Sequence, residues 1–425
     1  MRIPYPSSQR GTVAIIAAIA LPILIGFAGL ALDGGRLYMH KTELQNAADA
    51  CALAASRELT CDPAAGSCDS SYLVNAENSG LTVGERNFID FQGTAVGSAQ
   101  LSAADITFSK TYAPASAYLS RAAGADPASK YVMCTTHQSG ILPWFMQVLG
   151  IGAQTVRASA VASLLRAETS CAIPIGMCKI PGPSSDPFAG LTVGQWVTSK
   201  LSASATGSFD WIDFTPPGGG ANELADLLKG SGACTVPAPP AGVGEQGNIT
   251  SLGTAWNTRF GLYKGSESVS TAAPDYTGYA YTRANWPSMF NAYAGTSGSE
   301  PNFQSARSLH SAWQGNGPLG PYQGTVNMGG LTVTQPPALA TSGADRRLVL
   351  APVVDCAAWA GGTGSQQVPI LGYACVLMLA PIGQSDPETF LEYRGKANDL
   401  TSPCATSGVV GGPGSVGPLV PALVQ

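Results

Sequence analysis

The residues best able to do chemistry in this chain are few. Only three histidines occur in 425 residues, His40, His137 and His310. A Ser-His-Asp hydrolase needs one of them to take the proton from serine. No G-x-S-x-G sets a nucleophile on a strand-to-helix elbow, so each histidine reads as an ordinary surface or loop residue. Asp210 and Asp213 in FDWIDF are three apart, and paired carboxylates can act as acid and base in glycoside cleavage. On a strand, residues three apart point to opposite faces and do not converge. A helical turn would bring them together; otherwise they cap turns before Pro216. The Gly-rich stretches hold no G-x-x-x-x-G-K-[ST] loop, and G-x-G-x-x-G, which occurs at 315–320 and 412–417, does not open an expected helix at either place, so no phosphate cradle is supported.

Ten cysteines remain: Cys51, Cys61, Cys68, Cys134, Cys171, Cys178, Cys234, Cys356, Cys375 and Cys404. An even number in an oxidising compartment reads as disulfides, whose connectivity the sequence leaves open. Cys61 with Cys68 and Cys171 with Cys178 are the shortest local candidates, and Cys51 competes with Cys68 for Cys61. Cys356 and Cys375 lie in VLAPVVDC and GYACVLML, two apolar runs that read as neighbouring strands. No C-x-x-C occurs, and Cys134-x-x-His137 supplies only part of the four-ligand set that structural zinc needs. The expectation is therefore no catalytic residue, no cofactor and no metal.

These residues must be held by elements, and composition narrows which. Lys plus Arg number 22 and Asp plus Glu 27, a net charge of −5, with charged residues at 12%. No basic excess exists to neutralise phosphates, which argues against nucleic acid as a partner. With 45% hydrophobic residues the chain can bury a core, so it is not disordered throughout. Its 51 glycines and 31 prolines follow no triplet and mark a turn-rich, mostly β body.

One segment dominates. Residues 13–32 run VAIIAAIALPILIGFAGLAL without a charge, long enough as a helix to cross about 30 Å of hydrocarbon. Arg2 and Arg10 precede it and no acid occurs among the first twelve residues, which puts residues 1–12 in the cytoplasm and everything after Asp33 outside. The alternative is a cleaved signal peptide with Gly29-Leu30-Ala31 as its small-x-small site. Pro22 sits mid-span, as membrane helices tolerate. Past Gly34-Gly35, residues 33–59 keep a helical period. Leu37, Leu44, Ala48, Cys51, Ala55 and Leu59 share one face, with Glu43, Asn46, Asp49 and Arg57 on the other. One helix, or two joined at the glycine pair, thus runs to about Leu59, before Pro63.

Residues 60–170 read as mixed α/β: a short helix near 70–78, strands in ADITFSKTY, KYVMCTT and TVRASAVASLL, and a short apolar helix or packed turn in ILPWFMQVLG. Residues 171–425 read as one β-rich domain. Turn-rich stretches separate β-type runs in GQWVTSKL, FDWIDF, TRFGLYKG, YTGYAYT, RRLVLAPVV, GYACVLMLAPI and TFLEYRG. ANELADLLKG is a helix closed by Gly230. The terminal GPLVPALVQ is either a strand docked on the sheet or one that augments a partner's edge. Aromatic residues scattered through 256–323 offer a carbohydrate-binding face or a satellite core.

Residues 10–59 resemble the TadE/TadG-like proteins of Flp (tight-adherence) pilus systems. The shared features are Arg10-Gly11, Pro22, Asp33, Gly35-Arg36, Tyr38 and Leu44-Gln45-Asn46-Ala47-Ala48-Asp49 with the alanine-rich tail. WNTRFGLYKG, PDYTGYAYT, DRRLVLAPVVDC and GYACVLML look like blocks of longer TadG-like chains. The resemblance implies a bacterial inner-membrane pilin-like or assembly component with a periplasmic or pilus-borne head, and other pilus subunits and assembly proteins as partners. Two departures stand out. Ile16 occupies the place, five past Gly11, where such prepilins carry Glu, and no Asp-x-Ser-x-Ser metal-adhesion motif occurs. The expected fold is α+β: a membrane-spanning pilin-like helix continuing into an amphipathic one, a mixed region, and a disulfide-bonded β-rich domain. The expected function is a non-enzymatic pilus-assembly component or minor pilin. The alternative is a membrane-anchored adhesin with a surface or glycan ligand.

Overall fold

A computed structural model of the protein describes residues 10–63, 66–182, 184–198, 209–215, 220–245, 252–315, 331–359, 367–382 and 390–424. The cytoplasmic tail expected from residues 1–12 lies outside these up to residue 9. The chain divides into two compact units, Met1–Leu165 with Val420–Gln425, and Arg166–Leu419. It is α+β, an N-terminal apolar helix followed by a mixed region and a β-rich domain with several disulfides.

In the first unit, α1 (Arg10–Ser56) is a single helix of 47 residues, about 70 Å at 1.5 Å per residue. It passes through Gly34-Gly35 without a break and carries Pro22 inside, where the missing N–H leaves one turn unbonded. It ends three residues before Leu59, in a tightened turn where Leu59 N–H reaches the Ser56 carbonyl. The expected apolar face is the packed one: Leu44, Ala48, Cys51 and Ala55 are fully buried. Glu43 departs from the expected polar face. It is buried, and its carboxylate accepts the Gln92 backbone and side-chain N–H at 3.1 and 3.2 Å.

Helix α2 (Ser71–Gly84) lies against α1 and outruns the stretch expected from sequence. Glycine is a poor helix former, yet two glycines carry this contact. A Cβ on Gly84 would stand 2.5 Å from Leu101 and 3.2 Å from Cys51, and one on Gly80 3.1 Å from the Cys51 sulfur. A hairpin of β1 (Phe88–Ile89) and β2 (Thr94–Ala95) follows, its tip turning through positive φ at Asp90, Phe91 and Gln92. Strands β3 (Ile106–Ser109), β4 (Leu119–Ser120), β5 (Tyr131–Ile141) and β6 (Gln154–Thr169) form an antiparallel sheet in the order β4-β3-β5-β6. This sheet buries Val132, Cys134, Ala158 and Ala160 with the small residues of α1, and Cys51 of α1 is bonded to Cys134 of β5.

The second unit is built on β7 (Ile175–Cys178), β8 (Trp196–Thr198), β9 (Phe209–Asp213), β10 (Gly242–Glu245), β13 (Leu348–Val354), β14 (Gln367–Met378) and β15 (Phe390–Lys396), in the order β10-β9-β7-β13-β14-β15-β8. A further β10–β14 pairing closes five of them into a ring. A two-stranded ladder of β11 (Leu262–Tyr263) and β12 (Thr332–Val333) stands apart from it. The continuous apolar runs become strands buried on both faces. Leu348, Leu350, Cys375 and Leu377 enter one core cluster, while Val349, Ala351, Val353, Ala374, Val376 and Met378 enter the other. Short helices α3 (Ala221–Lys229), α4 (Leu252–Thr258), α5 (Phe303–Ser308) and α6 (Pro336–Ser342) lie in the connections. Strand β16 (Ala405–Val410) pairs with the Thr169 end of β6. The last strand, β17 (Leu419–Leu423), also pairs with β6, so the C-terminus is docked on the chain's own sheet.

Three readings of this unit change, the first being TRFGLYKG, of which only Leu262–Tyr263 is strand while Thr258 closes α4. YTGYAYT is buried but forms no strand, because side chains replace the ladder. Arg347 donates to the Thr277 and Tyr279 carbonyls at 3.1 and 2.7 Å, and the Ala280 N–H reaches Gln314 at 2.9 Å. Gly230 has φ −82° rather than a left-handed cap. The C-terminus of α3 is closed instead by cations, as its dipole favours: Arg259 donates to the Leu228 carbonyl at 2.8 Å and Arg346 to that of Lys229 at 2.7 Å.

Candidate membrane-exit site

The apolar half of α1 is bare. Ile15, Ile16, Ile19, Leu21, Ile23, Leu24, Ile25, Phe27, Leu30 and Leu32 are all exposed, and the helix is long and apolar enough to cross a membrane. Asp33, the first charge beyond it, is 1% exposed. Its carboxylate accepts the backbone N–H groups of Trp144 at 2.6 Å, Phe145 at 2.9 Å and Met146 at 2.7 Å. These amides open the 3-10 turn Met146–Leu149, where unpaired donors gather and a carboxylate is favoured. Arg36, one turn on, donates to the Leu142 carbonyl at 3.0 Å, lies 4.7 Å over the Trp144 ring and stands 3.8 Å from Asp90. Gly29 is buried against the same turn, and a Cβ there would stand 2.6 Å from that of Phe145.

Further along, polar groups of the helix reach the sheet. Lys41 donates to the Arg157 carbonyl at 2.5 Å, Gln45 to that of Ser159 at 3.0 Å, and Thr136 donates back to Leu44 O at 2.9 Å. Asp49 accepts from Gln45 at 2.8 Å, an i,i+4 pair that holds the glutamine in place.

Of the residues singled out in the sequence, Asp33 and Arg36 come together here. Leu44 and Asp49 belong to the packed half of the helix, while Pro22, Tyr38 and Asn46 are exposed. Arg10 and Gly11 open the helix, with side chains outside the described residues. Sequence reasoning missed the partners of Asp33. ILPWFMQVLG showed only that an apolar turn existed, and nothing local ties it to an aspartate 111 residues earlier.

With this geometry in view, comparison with known proteins is informative on one segment. Residues 11–58 match the Flp pilus-assembly TadE/G-like family. The TadE/G-like segment therefore coincides with α1 almost end to end, the bare apolar half and the packed half together. No curated protein and no solved structure shows a significant match to the chain.

Outside the TadE/G-like segment, the candidate chemistry is dispersed. His40 is buried 3.7 Å from Asp90, His137 faces Arg157 across β5 and β6, and His310 Nδ1 lies 3.3 Å from the Tyr276 carbonyl. None hydrogen-bonds a side-chain hydroxyl among the described residues. FDWIDF forms the strand β9. Asp213 is buried there and caps Thr215 N–H at 2.8 Å, while the Asp210 side chain lies outside the described residues. No group of three His, Cys, Asp or Glu converges to hold a metal among the described residues. Of the two readings of the aromatic residues in 256–323, core is the one that Trp256, Trp286, Tyr279 and Tyr281 follow, all of them buried.

The structure pairs Cys61 with Cys68. The local Cys171–Cys178 candidate gives way to Cys171–Cys234 and Cys178–Cys356. The intervening segment is largely extended as β7, and β13 runs parallel beside it with Val354 opposite Cys178. VLAPVVDC and GYACVLML do pair as strands, but Cys356 lies beyond the end of β13, so Cys375 bonds Cys404. Cys51 bonds Cys134 rather than competing for Cys61.

Proposed function

We propose that this protein is a non-enzymatic assembly component or minor pilin-like subunit of a Flp/tight-adherence pilus, held in the bacterial inner membrane by residues 13–32 with its head in the periplasm. The observation that carries this reading is the placement of the TadE/G-like match on a helix with two unlike halves. The bare half needs lipid or the apolar core of a filament around it, because exposed hydrocarbon of that length is not tolerated in water. The other half is bonded into a folded unit, so any force or position imposed on the span is passed to that unit through Asp33 and Cys51. With Ile16 where prepilins carry Glu, the bulk subunit's acid–amine contact is missing. That favours a few copies at an initiating or tip position.

Deletion and complementation in a piliated host test the proposal. Loss of filaments is expected, together with recovery of the protein in the inner membrane and in sheared pili, its N-terminus read by mass spectrometry. Filaments at normal number with attachment lost would shift the assignment to an adhesin. Uniform recovery in the cytosol would overturn both.

A further inference from the structure

The turn bound by Asp33 has an apolar outer surface. Leu142 is 55% exposed, Trp144 56%, Phe145 44% and Val148 91%. Large apolar side chains clustered in one short turn mark a contact surface rather than a free one. Three contacts fix where that turn lies on the helix. Its amides bind Asp33, the first charge after the apolar run. Phe145 packs on Gly29, four residues back inside that run, or about 6 Å deeper along the axis. Arg36, one turn outward, holds the Leu142 carbonyl and covers the Trp144 ring. The turn therefore straddles the last turn of the span, phenylalanine on the apolar side and guanidinium on the polar side.

We propose that residues 142–148 form an interfacial lipid anchor, entering the headgroup–acyl boundary of the leaflet through which α1 leaves the membrane. The occupant is phospholipid. The patch is continuous with the bare face of the span, and its order of Phe, Trp and Arg along the helix axis matches the polarity gradient of a bilayer surface, where tryptophan collects and arginine turns outward. Gly29 has a specific part in this, since only a residue without Cβ lets Phe145 reach the span. Two points of attachment, helix and turn, would fix the depth and rotation of the spine where it meets its folded unit. The inference rests on the membrane-anchor reading of residues 13–32.

The test uses the full chain in phosphatidylcholine–phosphatidylglycerol vesicles, with and without lipid brominated near the headgroup end of its acyl chain. Trp144 is the one tryptophan before residue 195, and Trp144→Phe isolates its signal by difference. Flotation and resistance to carbonate extraction report insertion of the span independently. The expected result is that the Trp144 signal falls about twofold or more with brominated lipid, as for a residue in the interfacial belt. Gly29→Ala, which makes a good helix former collide with Phe145, should reduce that quenching while flotation persists. An inserted chain whose Trp144 is unquenched, or is shielded by cross-linking to a second copy, overturns the lipid anchor and leaves the span intact. A chain that does not float overturns the anchor reading itself, and the inference with it.

Discussion

The middle of α1 and the core of the second unit each bury an aspartate, and they use it differently. Asp33 is met by three amides of one turn, at the edge of a unit whose core sets the small residues of α1 against Leu73, Leu101, Ile106 and Phe108 and is tied by the Cys51–Cys134 bond. Asp275 is also met by three amides, of Thr277, Arg346 and Arg347. Those residues, however, sit inside a network whose arginines in turn bond carbonyls of α3, β14 and the buried YTGYAYT segment. Burial raises the Asp275 carboxyl above its usual range and lowers the Arg347 guanidinium to about 10. Phe260 lies 4.2 Å under Arg347, so even its apolar face is used. The first arrangement is a clip between two segments. The second organises irregular backbone that has no ladder of its own. Cutting a clip should release one turn, whereas removing an organiser should unfold a unit.

The largest effect expected is for Asp275→Ala, which leaves three buried amides without their acceptor and the buried guanidiniums without a nearby carboxylate. A loss of about 3–5 kcal/mol follows, read by hydrogen exchange as faster opening of β13 and β14 with β5 unchanged. A loss confined to residues 275–277 would erase the contrast with Asp33. Next comes removal of the Cys51–Cys134 bond, which closes a separation of 83 residues. The double alanine variant should lose about 2–4 kcal/mol from α2 and β5, with a lower denaturant midpoint for that unit and no change in β14. Asp33→Ala should cost about 1.5–3 kcal/mol, seen locally as faster exchange at Trp144, Phe145 and Met146. Global unfolding of the unit by this change would show that the clip is an organiser too.

The smallest effect is a pH dependence on the surface of the first unit. The Lys110 ammonium, 2.6 Å away, and the Ala128 N–H hold the Asp126 carboxyl below its usual value. A depressed carboxyl contributes stability that is complete above its unfolded pKa, about 4, and is lost as pH falls through the folded value. Wild type and Asp126→Asn should therefore differ slightly near neutrality and converge in acid. Divergence that grows on acidification would show the sign to be wrong.

Much of the first unit was legible because its signals are local. A run of twenty uncharged residues followed by an alanine-rich heptad-like face specifies one helix with two solvents, and the helix ends within three residues of the expected point. The apolar runs RRLVLAPVV and GYACVLMLAPI likewise announce neighbouring strands, and β13 and β14 pair. Polar residues misled where a distant partner answered them. Glu43 is buried because Gln92 reaches it, and Arg347 sits in a core because the carbonyls of a strandless segment need donors. Gly80 and Gly84 weaken a helix by propensity, yet they let α2 approach Cys51.

By its order of residues alone, this chain settled that a bare apolar helix leads into an amphipathic one, that a turn-rich β body follows, and that its cysteines are numerous and even. Periodicity, length and hydrocarbon thickness are properties of neighbouring residues, so they can be read along the chain. The partners of Asp33, every cysteine pair but the local Cys61–Cys68, and the network around Asp275 were decided only by folding. Each joins positions from tens to well over a hundred residues apart, and no local pattern carries the geometry that selects one distant donor over another.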